Sequence, residues 1–412
     1  MSTQTNRSKK ATATLKIFQA DRKPLSRQAV TIAQLQHKFL FGTAAFDTLP
    51  LANGEYRGAD LEPAQLRADR MLALCNAATL PFYWARFEPQ RGQPITAQMK
   101  RAVAWCREHH LTVKGHPLCW HTLTADWLLG MNNTDILQAQ LARIRRDISA
   151  FCGEIDMWDV INEAVIMPLF DRYDNGITRL CREMGRIATI RAVFDAARAA
   201  NPSATLLIND FETSPAYDIL IEGCLAAGIR FDAIGIQSHM HQGYWGVEKT
   251  LEILERFSRF NLPIHFTETS LVSGHLMPPE IVDLNDYRVQ DWPTTPAGEE
   301  RQAVETVTHY RTLFTHPLVE GITWWDLSDG NWLNAPSGLI RRDGSTKPAY
   351  EELLKLIKGE WWLSPTRVDT DAEGCLQFSG YPGTYEITLG SQRWTVDLDR
   401  ETQSHELQLP QT

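Results

Sequence analysis

Two short stretches place a carboxylate where an apolar run stops. "WDVINEA" at 158–164 ends in Asn162 and Glu163, and "HFTETS" at 265–270 carries Glu268. Other polar residues share this habit: His116, Trp120 and His121 in "GHPLCWH", Asn209, Asp210 and Glu212 in "INDFE", and Gln237, His239 and His241 in "GIQSHMH". "TWWDLSDGNW" adds Trp324, Trp325, Asp326, Asp329 and Trp332. Charged groups are rarely buried without partners, so such a set points to a common site rather than to packing. Paired carboxylates suit glycosidic bond cleavage, one as proton donor and the other as nucleophile or base. The histidines and acids could instead bind a metal. The tryptophans, 13 in the chain, could serve a binding-only protein by stacking on sugars. His239-Met240-His241 has ligand-like spacing, but alternate residues of a strand share a face in any case, so no metal and no cofactor are expected.

These residues need a scaffold that gathers strand ends. Short apolar runs at 39–46, 77–84, 112–121, 155–163, 205–211, 233–240, 263–270 and 321–327 alternate with helical patterns such as 99–110, 134–151, 187–200 and 251–260. Asn201-Pro202 and Asn261-Leu262-Pro263 stop two of those helices. Eight strands alternating with helices predict an α/β fold, a (β/α)8 barrel, whose chemistry sits at the carboxyl ends of the strands. An open doubly wound sheet has the same rhythm, but the chain lacks the glycine-rich phosphate loops that usually mark it.

The chain has 412 residues, 43% hydrophobic and 22% charged, with a formal net charge of −9. An acidic balance argues against a nucleic-acid partner. No apolar run approaches the ~18–20 residues that span a membrane, and no secretory h-region follows the basic start. A cytoplasmic protein is expected, or an extracellular one if the chain has been trimmed. Seven scattered cysteines suggest reduced, buried thiols. Oligomeric state and endo or exo action stay open.

Taken in order over 39–358, "GHPLCWH", "WDVINEA", "INDFE", "IGIQSHM", "FTET" and "TWWDLSDGNW", followed by "GLIRRDGSTKPAY" at 338–350, resemble the strand-end motifs of family 10 glycoside hydrolases, the endo-1,4-β-xylanase family. The resemblance implies a retaining hydrolase acting on xylan or a related β-glycan, with Glu163 as acid/base and Glu268 as nucleophile. It also implies that His116, Trp120, Asn162, Gln237, His239, Trp324 and Trp332 line the subsites nearest the cleaved bond; His121 and Asn209 fall in the same motifs. Asn162 can donate to a sugar 2-hydroxyl, and His239 can hydrogen-bond Glu268 and keep it ionised.

Two departures weaken the xylan expectation. In "TLPFYWARFEP" (79–89), Leu80 and Tyr83 stand near where the family carries an Asn and a Lys that grip the distal xylose; Tyr83 and Trp84 would offer stacking area instead. The family's TELD becomes Thr267-Glu268-Thr269-Ser270, so a serine replaces the acid beside the histidine. A glycosidase for a non-xylan β-glycoside and a non-catalytic carbohydrate-binding barrel remain alternatives. The segment 271–297 is too long for a plain connection; its Tyr287 and Trp292 could wall the cleft.

The chain ends read as strands: two in 11–37 around Ala20-Asp21-Arg22-Lys23-Pro24, and five in 361–410, at 367–369, 375–379, 384–389, 393–398 and 405–409. Together they resemble the halves of one Ig-like sandwich of the carboxypeptidase regulatory-domain type. The expected organisation is residues 1–37 and 359–412 as one small β-sandwich, with a catalytic barrel at 38–358 inserted between.

Overall fold

The computed structural model describes residues 9–401 and 403–410. One compact unit is a closed parallel barrel in the order β10-β3-β4-β5-β6-β7-β8-β9. The strands are β3 (Leu40–Ala44), β4 (Ala77–Pro81), β5 (Thr112–His116), β6 (Met157–Asn162), β7 (Thr205–Asp210), β8 (Ala233–Met240), β9 (Ile264–Leu271) and β10 (Val319–Trp324). Parallel strands covered on both faces are apolar almost throughout; every residue of β9 is buried. The expected run 77–84 overshoots, because β4 stops at Pro81 and a short helix, Trp84–Phe87, follows. The run 112–121 likewise ends at His116, leaving Trp120 and His121 on the loop beyond.

The helix Asn133–Phe151 shows how the loops above the strands are fixed. Its Asn132 cap accepts from the Asp135 N–H. From its buried face Gln140 Nε2 donates to Leu118 O (2.9 Å), and the Arg143 guanidinium donates to Leu118 O (2.6 Å) and to Phe82 O. These carbonyls belong to the loops that carry Tyr83 and Trp120. Buried backbone oxygens need donors, and here a buried cation supplies them.

A second compact unit takes the chain up to Leu40 and from Glu351 onward. β1 (Ala11–Phe18) pairs antiparallel with β12 (Cys375–Gly380) and parallel with β15 (Gln403–Gln408). β2 (Ala29–His37) lies between β11 (Thr366–Asp369) and β13 (Gly383–Leu389), with β14 (Gln392–Leu398) beyond β13. The buried residues of β1 (Ala13, Leu15, Ile17) share one core with Val30 and Ile32 of β2, Leu376, Tyr385, Ile387 and Leu398. Strands from both ends thus form two sheets over one core. All seven cysteines are free; Cys152 is exposed and Cys375 half-buried, so not every thiol is in the core. Among the described residues no helix is long and apolar enough to cross a membrane.

Candidate active site

Glu163 sits one residue past β6 with φ +58°, a left-handed conformation that costs a non-glycine residue about 1–3 kcal/mol. Its N–H is held by Asn209 O at 2.8 Å, which ties the turn to β7. Trp120 Nε1 donates to its carboxyl at 2.8 Å and Asn162 Nδ2 at 3.1 Å, with Gln237 Nε2 at 3.4 Å. Burial nevertheless pushes the carboxyl up to about 8; the Trp120 bond opposes this, and the charges of Glu268 and Asp210 add to it.

Glu268, on β9, accepts from Asn209 Nδ2 at 3.0 Å and meets His239 Nε2 at 3.1 Å. Burial holds His239 at about 3, so the imidazole is neutral near pH 7. With the Ser270 hydroxyl donating to Nδ1 at 3.0 Å, the tautomer is the one whose Nε2–H faces Glu268. Ser270, which replaces the family's acid, still bonds the histidine but brings no charge. A third line of polar groups crosses the barrel interior: Lys114 and His116 Nδ1 both lie 2.7 Å from Asp159 Oδ2, and His116 Nε2 stands 3.9 Å from Glu268 Oε1. Burial raises the Glu268 carboxyl to about 7, while His116 and Lys114 pull it down.

The two carboxyls are linked by a short relay. Asn209 Nδ2 also donates to Asn162 Oδ1 at 2.7 Å, and Gln237 Nε2 reaches the same oxygen at 3.1 Å. Tyr83 closes one side, edge-on to His116 (5.7 Å) and tilted against Trp120 (5.5 Å). Trp332 packs on His239 at 4.5 Å. His121 stands 3.9 Å from Glu163, but burial holds it at about 3, so the contact is no ion pair. Tyr83, His116, Trp120, His121, Asn162, Glu163, Asn209, Gln237, His239, Glu268 and Trp332 are thus brought together.

Two expected residues are not. Trp324 is buried, donates from Nε1 to Ser337 O and packs beside Tyr310. Its neighbour Trp325 faces the mouth instead, edge-on to His116 (5.2 Å), Phe46 (5.5 Å) and His239 (6.1 Å), because adjacent residues of an extended chain point opposite ways. Trp84 opens the short helix after β4 and turns from the cleft. Arg143 lies 4.8 Å over its ring and its Nε1 donates to Glu88. Sequence reasoning missed Lys114 and Asp159; their signal was a charge inside an apolar strand. Trp292 and Tyr287 pack against each other and into a small core with Val272, Met277 and Ala335 beneath segment 271–297; Trp292 is buried there rather than lining a wall. His241 is enclosed beside Trp332 and Trp292, and among the described residues no cluster of His, Cys, Asp or Glu could hold a metal ion.

A (β/α)8 barrel with two donor-supported carboxyls at the carboxyl ends of its strands, Glu268 buried and Glu163 partly buried, defines the class. The chain belongs to glycosyl hydrolase family 10, whose sequence profile matches residues 75–356. It is 24% identical to the anti-sigma-I factor RsgI6 of Acetivibrio thermocellus, over 96% of this chain and 47% of that protein. It is 23% identical to endo-1,4-beta-xylanase 1 of Arabidopsis thaliana, over 97% and 39%. The chain thus spans less than half the length of these curated relatives. A thermostable mutant of xylanase Xyn10A from Cellvibrio japonicus superposes with a TM-score of 0.63 at 24% identity, covering 78% of this chain and 98% of that one. Xylanase 10B of Thermotoga petrophila, solved with xylobiose, gives 0.62 at 21%, covering 78% and 95%. These likenesses bear on the fold.

Proposed function

We propose that this protein hydrolyses β-1,4-linked xylan or a related β-glycan with retention of anomeric configuration. Glu163 protonates the leaving oxygen while Glu268 attacks the anomeric carbon and forms a glycosyl ester. Glu163 then takes a proton from water, which displaces Glu268. The observation that carries this reading is the unequal surroundings of the two carboxyls. Glu163 is raised by burial and further by the charges of Glu268 and Asp210, which suits a proton donor; Glu268, also raised by burial, faces His116 and Lys114, which pull it down, and has the Asn209 and His239 contacts, which favour its ionised form. Retaining enzymes need carboxyls about 5–5.5 Å apart, and a relay of two asparagine side chains between them is consistent with that spacing.

The test is NMR of the first-formed product on an activated aryl β-glycoside; an inverted anomer overturns the assignment. Glu163→Ala should lower turnover about 10²–10⁴-fold and recover with azide, and Glu268→Ala should abolish it.

Substrate choice follows from the Tyr83 wall. Leu80 is fully buried, and Tyr83 is held between His116, Trp120 and Phe46, so this wall offers apolar area and few donors. Stacking does not read individual hydroxyls. Unsubstituted xylan should therefore be cut slowly relative to a decorated or different β-glycan. Screening reducing-sugar release on xylan, arabinoxylan and mixed-linkage glucan checks this, and vigorous hydrolysis of plain xylo-oligosaccharides refutes it.

A further inference from the structure

The loops that leave the two glutamate strands meet each other. In the closed barrel, β7 and β8 separate β6 from β9 on one arc, while β10, β3, β4 and β5 fill the other. A glycan whose scissile bond lies between Glu163 and Glu268 must run from one arc to the other, since the carboxyls flank that bond. The loop after β6 is tied to the end of β7, where Val165 N donates to Asp210 Oδ2 at 3.0 Å. The loop after β9 is tied to the end of β8, where Gln242 Nε2 donates to Pro278 O (2.9 Å) and Ile281 O (2.7 Å).

Arg172 joins the two loops. Its guanidinium binds both oxygens of Asp286 at 2.7 Å and reaches Asp283 at 3.0 Å. A forked pair of this kind adds geometric definition that a single contact lacks. An exposed ion pair alone contributes little, but the strap does not rest on it alone. Trp332 Nε1 donates to Asn285 at 3.4 Å, and Val272, Met277, Trp292 and Ala335 give the segment a core of its own. The two loops are therefore joined to each other and each is anchored at a strand of the β7–β8 arc.

We propose that this strap bars a glycan from being laid sideways into the cleft, so that chains enter end-first and are cut near an end. The inference rests on the glycosidase reading above and specifies its substrate form: oligosaccharides and chain ends rather than chain interiors. Two strap variants keep it testable if one folds poorly: Arg172→Ala, and Asp283→Asn combined with Asp286→Asn. The probe is a reducing-end-labelled β-1,4-linked hexasaccharide of the type cut fastest in the substrate screen, together with its parent polymer. Wild type should release one short product and its complement at the earliest times. Either variant should shift cleavage toward the middle and raise the viscosity lost per reducing end several-fold. Equal halves from wild type at early times, or the same product pattern in wild type and both variants, overturns the strap. If aryl glycosides are hydrolysed and the pattern is internal, the strap alone falls. If nothing is hydrolysed, the glycosidase reading falls and takes the strap with it.

Discussion

At the residue scale, Glu163 and Glu268 share one mouth, and burial raises both, so they titrate as a pair. In the proposed mechanism turnover needs Glu268 ionised and Glu163 protonated. The acid limb of kcat/KM should follow loss of the Glu268 charge, and the alkaline limb loss of the Glu163 proton. Asn209→Ala removes a donor that favours the Glu268 carboxylate. Its affinity for a proton rises, and the acid limb should move to higher pH; a limb that stays put or moves down removes Asn209 from this role. Stability carries a second sign. The Glu163 carboxyl stands near 8 in the folded chain against an ordinary value near 4.5, so the folded state holds its proton more tightly. Stability is unaffected below the ordinary value and is lost as pH rises toward 8. Glu163→Gln should therefore raise Tm above pH 8, by roughly 2–4 °C for each kcal/mol relieved, and leave it unchanged near pH 4. Calorimetry of the pair at both pH values decides.

At the element scale, the barrel strands were legible because strands buried on both faces are apolar runs. Their ends were less so. Pro81 terminates β4, yet Phe82, Tyr83 and Trp84 continue the apolar run, and hydrophobicity alone does not show the turn. Trp324 and Trp325 are the same residue type side by side, so only the pleat decides which faces the cleft. Trp324→Ala should cost about 3–5 kcal/mol of stability; Trp325→Ala should mainly lower kcat/KM. Paired denaturation and kinetic data separate the two. Lys114 and Asp159 each signalled a charge within an apolar strand, but that signal does not name the partner until the neighbouring strand is known. Close approach is equally hidden. A methyl group on Gly235 would lie 2.3 Å from Asn209 Oδ1, so Gly235→Ala should push Asn209 from Glu268. A displacement of about 1 Å can cost some 10²-fold in rate. Wild-type kcat in that variant would count against the close fit between β7 and β8.

At the scale of the whole molecule, β1 and β2 are interior strands of both sheets of the smaller unit, each flanked by strands from the other end of the chain. Both ends showed alternating patterns, and the two strands of the amino-terminal half alone are too few for a stable sheet. Deleting residues 1–37 should bare the apolar faces of β12, β13 and β15. Segment 361–410 should then be cut rapidly by protease, and a protected segment in that truncation refutes the dependence.

That interleaving also sets a timetable for synthesis. Gln28 and Thr370, which bond directly, are 342 residues apart in sequence. At about 5–20 residues per second the ribosome needs roughly 20 to 70 s to make the partners that β1 and β2 await. During that interval both strands are unpaired at their edges and apolar on one face. The smaller unit therefore closes only after the barrel and the later strands have been made. A message truncated before β11 yields a chain in which β1 and β2 never find their neighbours, which leaves unfinished products open to degradation through those two strands.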